Sequence, residues 1–274
     1  MAFEASQRDK ALIEHMLRYR EYRPLAAYIR KTPYRGNQVL EQLLALGQAI
    51  LEINLETIDE LAPLLDYTYL TEASQTKRKV YSFTHYLNLR FEQQAYGDYL
   101  RALTPILVDV FRLLIEADFM PDLSRYIQPV IKPTVDGHPL YRGLQWKETL
   151  IESSEDQRIQ ETWQRYYGER FNYEHYVSSS HLLKLIADHS SNEHLKDKAN
   201  QMRYIEKYLR NIVAHEVIYI DQDWFRHRIG EPPEAVHDLY HDLLKLAGLT
   251  DQRQWQILDI IAEDFMDTIK QYAN

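Results

Sequence analysis

Ile257, Ile261, Phe265 and Ile269 recur at every fourth position of DQRQWQILDIIAEDFMDTIKQYA, and spacing of that kind fills almost the whole chain. Such recurrence lines one stripe of a 3.6-residue helix, whereas a half-buried strand would alternate apolar and polar residues. RDKALIEHMLRYREYRPLAAYIRKT and QVLEQLLALGQAILEINLETIDELAPLL read as an antiparallel helical pair, turned by Pro33, Gly36 and Asn37. KVYSFTHYLNLRFEQQAYGDYLRALTPILVDVFRLLIEADF follows as one or two long helices, with a kink expected at Pro105. SSSHLLKLIADHS, NEHLKDKANQMRYIEKYLRNIVAHEVI and EPPEAVHDLYHDLLKLAG continue the pattern; the last has Pro at its start and Gly248 at its stop.

One stretch breaks it. Residues 121–146, PDLSRYIQPVIKPTVDGHPLYRGLQW, hold four of the ten prolines, two of the eight glycines and an Asp-Gly turn flanked by β-prone residues. A β-hairpin or irregular insertion is predicted there. No repeat of 34 or 40 residues argues for a solenoid. The predicted fold class is therefore all-α, one helical domain over 1–274. It comprises an N-terminal hairpin at 1–70, the insertion at 121–146 and a helical core at 147–274.

With 274 residues, 45% of them hydrophobic, the chain can bury a sizeable core. No uninterrupted apolar run approaches the roughly 18 residues of a membrane span. The start, MAFEASQRDKALIEHML, lacks the apolar region of a signal peptide. The absence of cysteine excludes disulfides, thiolate metal sites and a cysteine nucleophile, and it suits a cytoplasmic protein. A net charge of −9 argues against a dedicated duplex-DNA binder. Between Lys196 and Arg228, however, seven Lys/Arg face five Asp/Glu, an excess of +2 that can draw in a phosphate locally.

Within that stretch YIEKYLRNIVAHEVIYI, residues 204–220, brings Arg210, Asn211 and His215 onto an otherwise apolar helix. Read as helix over 199–218, it presents Met202, Ile205, Leu209, Ile212 and Val213 to the core. Asn211 and His215 then lie within about 40° of each other, and Arg210 lies about 140° round from His215. A site assembled between elements or between subunits follows from that divergence. An Arg-x4-His pair alone carries no weight: with 20 Arg and 11 His in 274 residues, about 0.8 arise by chance, and Arg170 with His175 is a second. The fuller Arg-Asn-x-x-Ala-His pattern is far rarer.

These residue types suit RNA cleavage. RNA carries its own nucleophile, the 2′-OH, so no metal is needed. An imidazole of pKa about 6.5 can move the proton. A guanidinium can meet the charge developing on phosphorus, and Asn211 can hold the imidazole or the phosphate. The products would be a 2′,3′-cyclic phosphate and a 5′-OH end. No cofactor motif and no metal-ligand set is expected. Two readings stand side by side: a metal-independent endoribonuclease, and a non-catalytic helical interaction module in which Arg210 and His215 are structural.

LRNIVAHEV matches the Arg-Asn-x-x-Ala-His signature of HEPN ribonucleases. Its surroundings resemble the C-terminal region of the type III-A CRISPR ancillary ribonucleases, and a weaker likeness extends upstream through FEQQAYGDYLRALTPILVDVF. The resemblance implies a HEPN-type helical bundle that cleaves single-stranded RNA in antiviral defence. It also implies a homodimer with a composite site containing Arg210, Asn211 and His215. Members of that family carry an α/β CARF domain that binds cyclic oligoadenylate. No βαβ pattern occurs here, so no CARF domain is expected in this chain, and such activation applies only if the full-length protein carries one.

Rival constellations are weaker. His237 and His241, one turn apart and each followed by Asp, could serve a metal-dependent HD-type phosphohydrolase, but they read as a solvated face with local charge pairs. His181, His189 and His194 flank serines that read as helix caps rather than nucleophiles. Among 21 tyrosines most are expected to be core or half-buried, and Trp224 with Phe225 is expected to close a helix end.

Overall fold

The computed structural model describes residues 7–168, 171–213 and 218–273, with side chains for 8–168, 171–208 and 218–271. Fourteen α-helices and one hairpin occur among the described residues. The chain opens with α1 (Gln7–Arg18), α2 (Tyr22–Ile29), α3 (Gln38–Glu52), α4 (Leu55–Leu61) and α5 (Tyr69–Glu72). The longer α6 (Gln75–Glu92) and α7 (Tyr96–Asp118) lead into β1 (Ile127–Pro133) and β2 (Pro139–Trp146). Then come α8 (Glu148–Glu152), α9 (Arg158–Tyr167), α10 (Ser179–His189), α11 (Glu193–Val213), α12 (Gln222–Ile229), α13 (Pro233–Leu246) and α14 (Gln252–Ala273). The all-α class with a small hairpin is as the sequence predicts.

Two compact units form. One combines residues up to Ala95 with those from Asp251 onward; the other runs from Tyr96 to Thr250.

In the first unit α14 supplies Ile257, Ile261, Phe265 and Ile269, each no more than 1% exposed, to a core shared with Leu40, Leu43, Leu44 and Ile50 of α3. Each such side chain contributes about 1.5–3 kcal/mol of transfer free energy. The Asn37 side chain accepts from Leu40 N and caps α3, as expected for the turn that Gly36 closes at φ 78°. The two helices predicted before and after that turn are each broken once. Arg20 takes φ 58° between α1 and α2, and Ile53 takes φ 58° between α3 and α4, where Asn54 caps the new helix. A similar break at Gln94, φ 54°, separates α6 from α7. Pro105 sits inside the continuous α7 and is not the break.

In the second unit α7 is the central helix, with α10, α11 and α13 packed on it. Leu103, Leu107, Val110 and Leu114 of α7 are buried, as are Leu182, Leu185, Met202, Tyr240 and Leu243 on the helices packed against it. The hairpin pairs antiparallel from Ile127 opposite Trp146 to Pro133 opposite Pro139, with an irregularity between Val130 and Ile131. Its turn is closed by Thr134 N donating to His138 O at 2.8 Å, and Gly137 holds the left-handed φ of 80° that a side chain would resist. A sheet of two strands is all edge, so it tolerates the prolines.

Candidate active site

The site is built on α11. Asn192 accepts from Leu195 N at 3.1 Å and starts the helix. Leu195, Ala199, Met202 and Ile205 then face inward, each no more than 6% exposed. Arg210 and Asn211 fall in the last turn of α11. His215 lies outside the described residues. The helix does not extend to Ile218, which is non-helical, so it is shorter than the sequence suggests. Beyond it Ile220 is buried, and Asp221 accepts from Trp224 N at 2.8 Å to start α12. Phe225 is fully buried edge-on to Tyr96 with ring centroids 5.5 Å apart, while Trp224 is half-buried.

One residue of α11 was not singled out from sequence. Glu206 is 3% exposed and charged, on a helix otherwise apolar on that side. It accepts from Ser179 Oγ at 2.7 Å, and Arg203 lies 3.0 Å from the same carboxylate oxygen. Ser179 opens α10, whose cap is Ser178 accepting from His181 N. The signal was present: Glu206 stands four residues after Met202 on the core stripe.

Three of the seven basic residues between Lys196 and Arg228 are committed to ion pairs within the fold. Lys196 pairs with Glu193, Lys198 with Asp242 and Arg203 with Glu206, at 2.9, 2.8 and 3.0 Å. Arg226 is only loosely associated with Asp223, at 3.8 Å, and is exposed with Arg228 at the end of α12.

The rival histidines are placed differently from expectation. His237 and His241 are half-buried rather than solvated, with ring centroids 4.6 Å apart. His237 Nδ1 lies 3.3 Å from the Tyr99 hydroxyl, which α7 brings over α13. Burial, with His241 adding repulsion, lowers the His237 pKa to about 4. Among the described residues no group of three or more His, Asp or Glu is arranged to hold a metal ion. His181 packs among Trp146, Trp163, Tyr167 and Phe171, where burial also lowers its pKa to about 4. His189 Nε2 lies 2.9 Å from both Thr162 Oγ1 and the Arg158 carbonyl. His194 is exposed. Of the second Arg-x4-His pair, His175 sits exposed in a turn and Arg170 lies outside the described residues.

A family model described as the Cas_Csm6 HEPN domain matches residues 69–266, a span that contains Arg210, Asn211 and His215. The chain belongs to the Cas_Csm6 HEPN domain family. Its fold is also similar to a solved structure, Enterococcus italicus Csm6 bound to cyclic hexa-2′-fluoro-hexa-dAMP, with a TM-score of 0.57 at 14% identity. That likeness covers 97% of this chain and 59% of the Csm6 chain, so this Cas_Csm6 HEPN chain spans under two thirds of that relative's length. No curated protein matches it by sequence. Among the described residues no helix is long and apolar enough to cross a membrane.

Proposed function

We propose that the chain is a CRISPR-associated, metal-independent endoribonuclease that cleaves single-stranded RNA in cytoplasmic antiviral defence. The observation that carries this reading is the Arg-Asn-x-x-Ala-His pattern inside the Cas_Csm6 HEPN match, beginning in the last turn of α11. His215 takes the 2′-OH proton as the 2′-oxygen attacks the adjacent phosphorus. The bond from phosphorus to the 5′-oxygen then breaks, and that oxygen leaves with a proton. Arg210 stabilises the charge that builds on the phosphoryl oxygens, and Asn211 orients the imidazole or the phosphate.

The working unit is a homodimer with a composite site. On an ideal helix positions 210 and 215 diverge by about 140°, so two copies about a two-fold axis can present both groups to one phosphate. Cyclic oligoadenylate enters only through a CARF domain of a longer protein, if one is joined to this chain.

The test is cleavage of a single-stranded RNA in EDTA, with end-group analysis and a 2′-deoxy control. A 2′,3′-cyclic phosphate, an inert DNA and activity per chain that falls on dilution are expected. Activity abolished by EDTA and restored by manganese would transfer the assignment to His237 and His241. No cleavage under any condition would leave an interaction module.

A further inference from the structure

Tyr204 and Tyr208 are 56% and 48% exposed, although most tyrosines on this fold are at least half-buried. Their rings are in contact, with centroids 4.4 Å apart at 49°. On a helix, positions 204, 208 and 211 lie within about 60° of one another, so the tyrosine stripe runs along α11 into position 211. The rise of about 1.5 Å per residue sets the tyrosines about 4–10 Å along the axis from that position. That distance corresponds to about one to three stacked nucleotides at 3.4 Å each.

Tyr204 also borders a cleft of about 740 Å³ between α11 and α13. Its walls combine Ile205, Ile229 and Leu239 with the carboxamides of Asn200 and Gln201 and the carboxylate of Asp238. With Glu231, Asp238 and Asp242 against Lys198 in its lining, the cleft carries an excess of negative charge that disfavours phosphate, while it offers apolar surface and hydrogen-bonding groups to a base edge.

We infer that Tyr204 and Tyr208 form a stacking platform for bases flanking the scissile phosphate, with the α11–α13 cleft receiving a base edge. The inference rests on the ribonuclease reading and names how that site holds its substrate. Stacking on tyrosine is tolerant of base identity, whereas the carboxamides and Asp238 give the cleft a means of preferring one base. Tyr204 and Tyr208 are thus substrate-positioning residues, distinct from the proton-moving group.

The test uses the full chain carrying His215→Ala, so that a short fluorescein-labelled single-stranded RNA is bound without being cut. Fluorescence anisotropy should show Tyr204→Ala/Tyr208→Ala weakening binding about tenfold or more, with Tyr204→Phe/Tyr208→Phe within about twofold of the parent. The dependence of binding on salt should be unchanged, because no phosphate contact is lost. In the cleaving background the Ala pair should raise KM far more than it lowers kcat.

Unchanged RNA affinity overturns the inference. If light scattering then shows a lost dimer, the tyrosines serve a second copy of the chain; if the dimer persists, they serve neither. A wild-type chain that binds RNA through these tyrosines and does not cut it would sink the catalytic reading and leave the platform standing. A chain that binds no RNA overturns both.

Discussion

Ser179 Oγ donates a 2.7 Å hydrogen bond to Glu206 Oε2, and both residues are no more than 4% exposed. The bond ties the first turn of α10 to the middle of α11, one turn before Arg210. Glu206→Ala would leave the Ser179 hydroxyl and the Arg203 guanidinium without their carboxylate and open a void. It should cost about 2–4 kcal/mol, and Ser179→Ala about 1–2 kcal/mol. Urea midpoints at unchanged m-value measure both. Equal, near-zero effects would mean that the buried carboxylate does not anchor α11.

Stability should fall as the pH drops from about 6.5 toward 4. His85, His181 and His237 each have a folded pKa of about 4, with burial the largest cause in every case. All three folded values lie below the unfolded value of about 6.5, so the unfolded chain binds more protons in that window. The contribution is full above pH 6.5 and is lost progressively as the pH approaches 4. Thermal midpoints between pH 7.5 and 4.5 test this, and His85→Gln should flatten the curve. His85 sits 6% exposed with Nε2 2.9 Å from the Gln254 carbonyl, a contact that a glutamine amide can replace.

Gly47→Ala should destabilise the chain despite its mid-helix position in α3. A Cβ there would lie 2.6–2.9 Å from three ring atoms of Tyr22, which is 1% exposed. Overpacking of this kind costs about 1–3 kcal/mol, against about 1 kcal/mol gained in helix propensity. A net loss of up to about 2 kcal/mol should appear in the thermal midpoint. A stabilised variant would show that the Tyr22 ring can shift.

Arg210→Ala and His215→Ala should each lower RNA cleavage at least about a hundredfold while leaving helical circular dichroism intact. His175→Ala should have little effect, because His175 is exposed in a turn outside the helices. Equal losses in all three variants would point to a general effect of removing charge rather than to a site at Arg210 and His215.

Sequence alone determined what depends on neighbours along the chain. Helices follow from apolar recurrence at three and four residues, the hairpin turn from Asp136-Gly137, and the family from a six-residue pattern that begins in the last turn of α11, because all are local relationships. Tertiary structure decided the rest. Arg20, Ile53 and Gln94 adopt left-handed backbone without being glycine, a cost that only packing beyond the turn can offset. His237 and His241 are half-buried because α7 packs on α13 and sets Tyr99, 138 residues away in sequence, beside His237. Glu206 can be buried because Arg203 pairs with it and α10 delivers Ser179 to it from 27 residues away. Tyr204 and Tyr208 remain exposed because α11 turns its other side, with Met202 and Ile205, to the interior of the second unit. The helical period defines the two sides, but only the packed neighbours decide which of them water reaches.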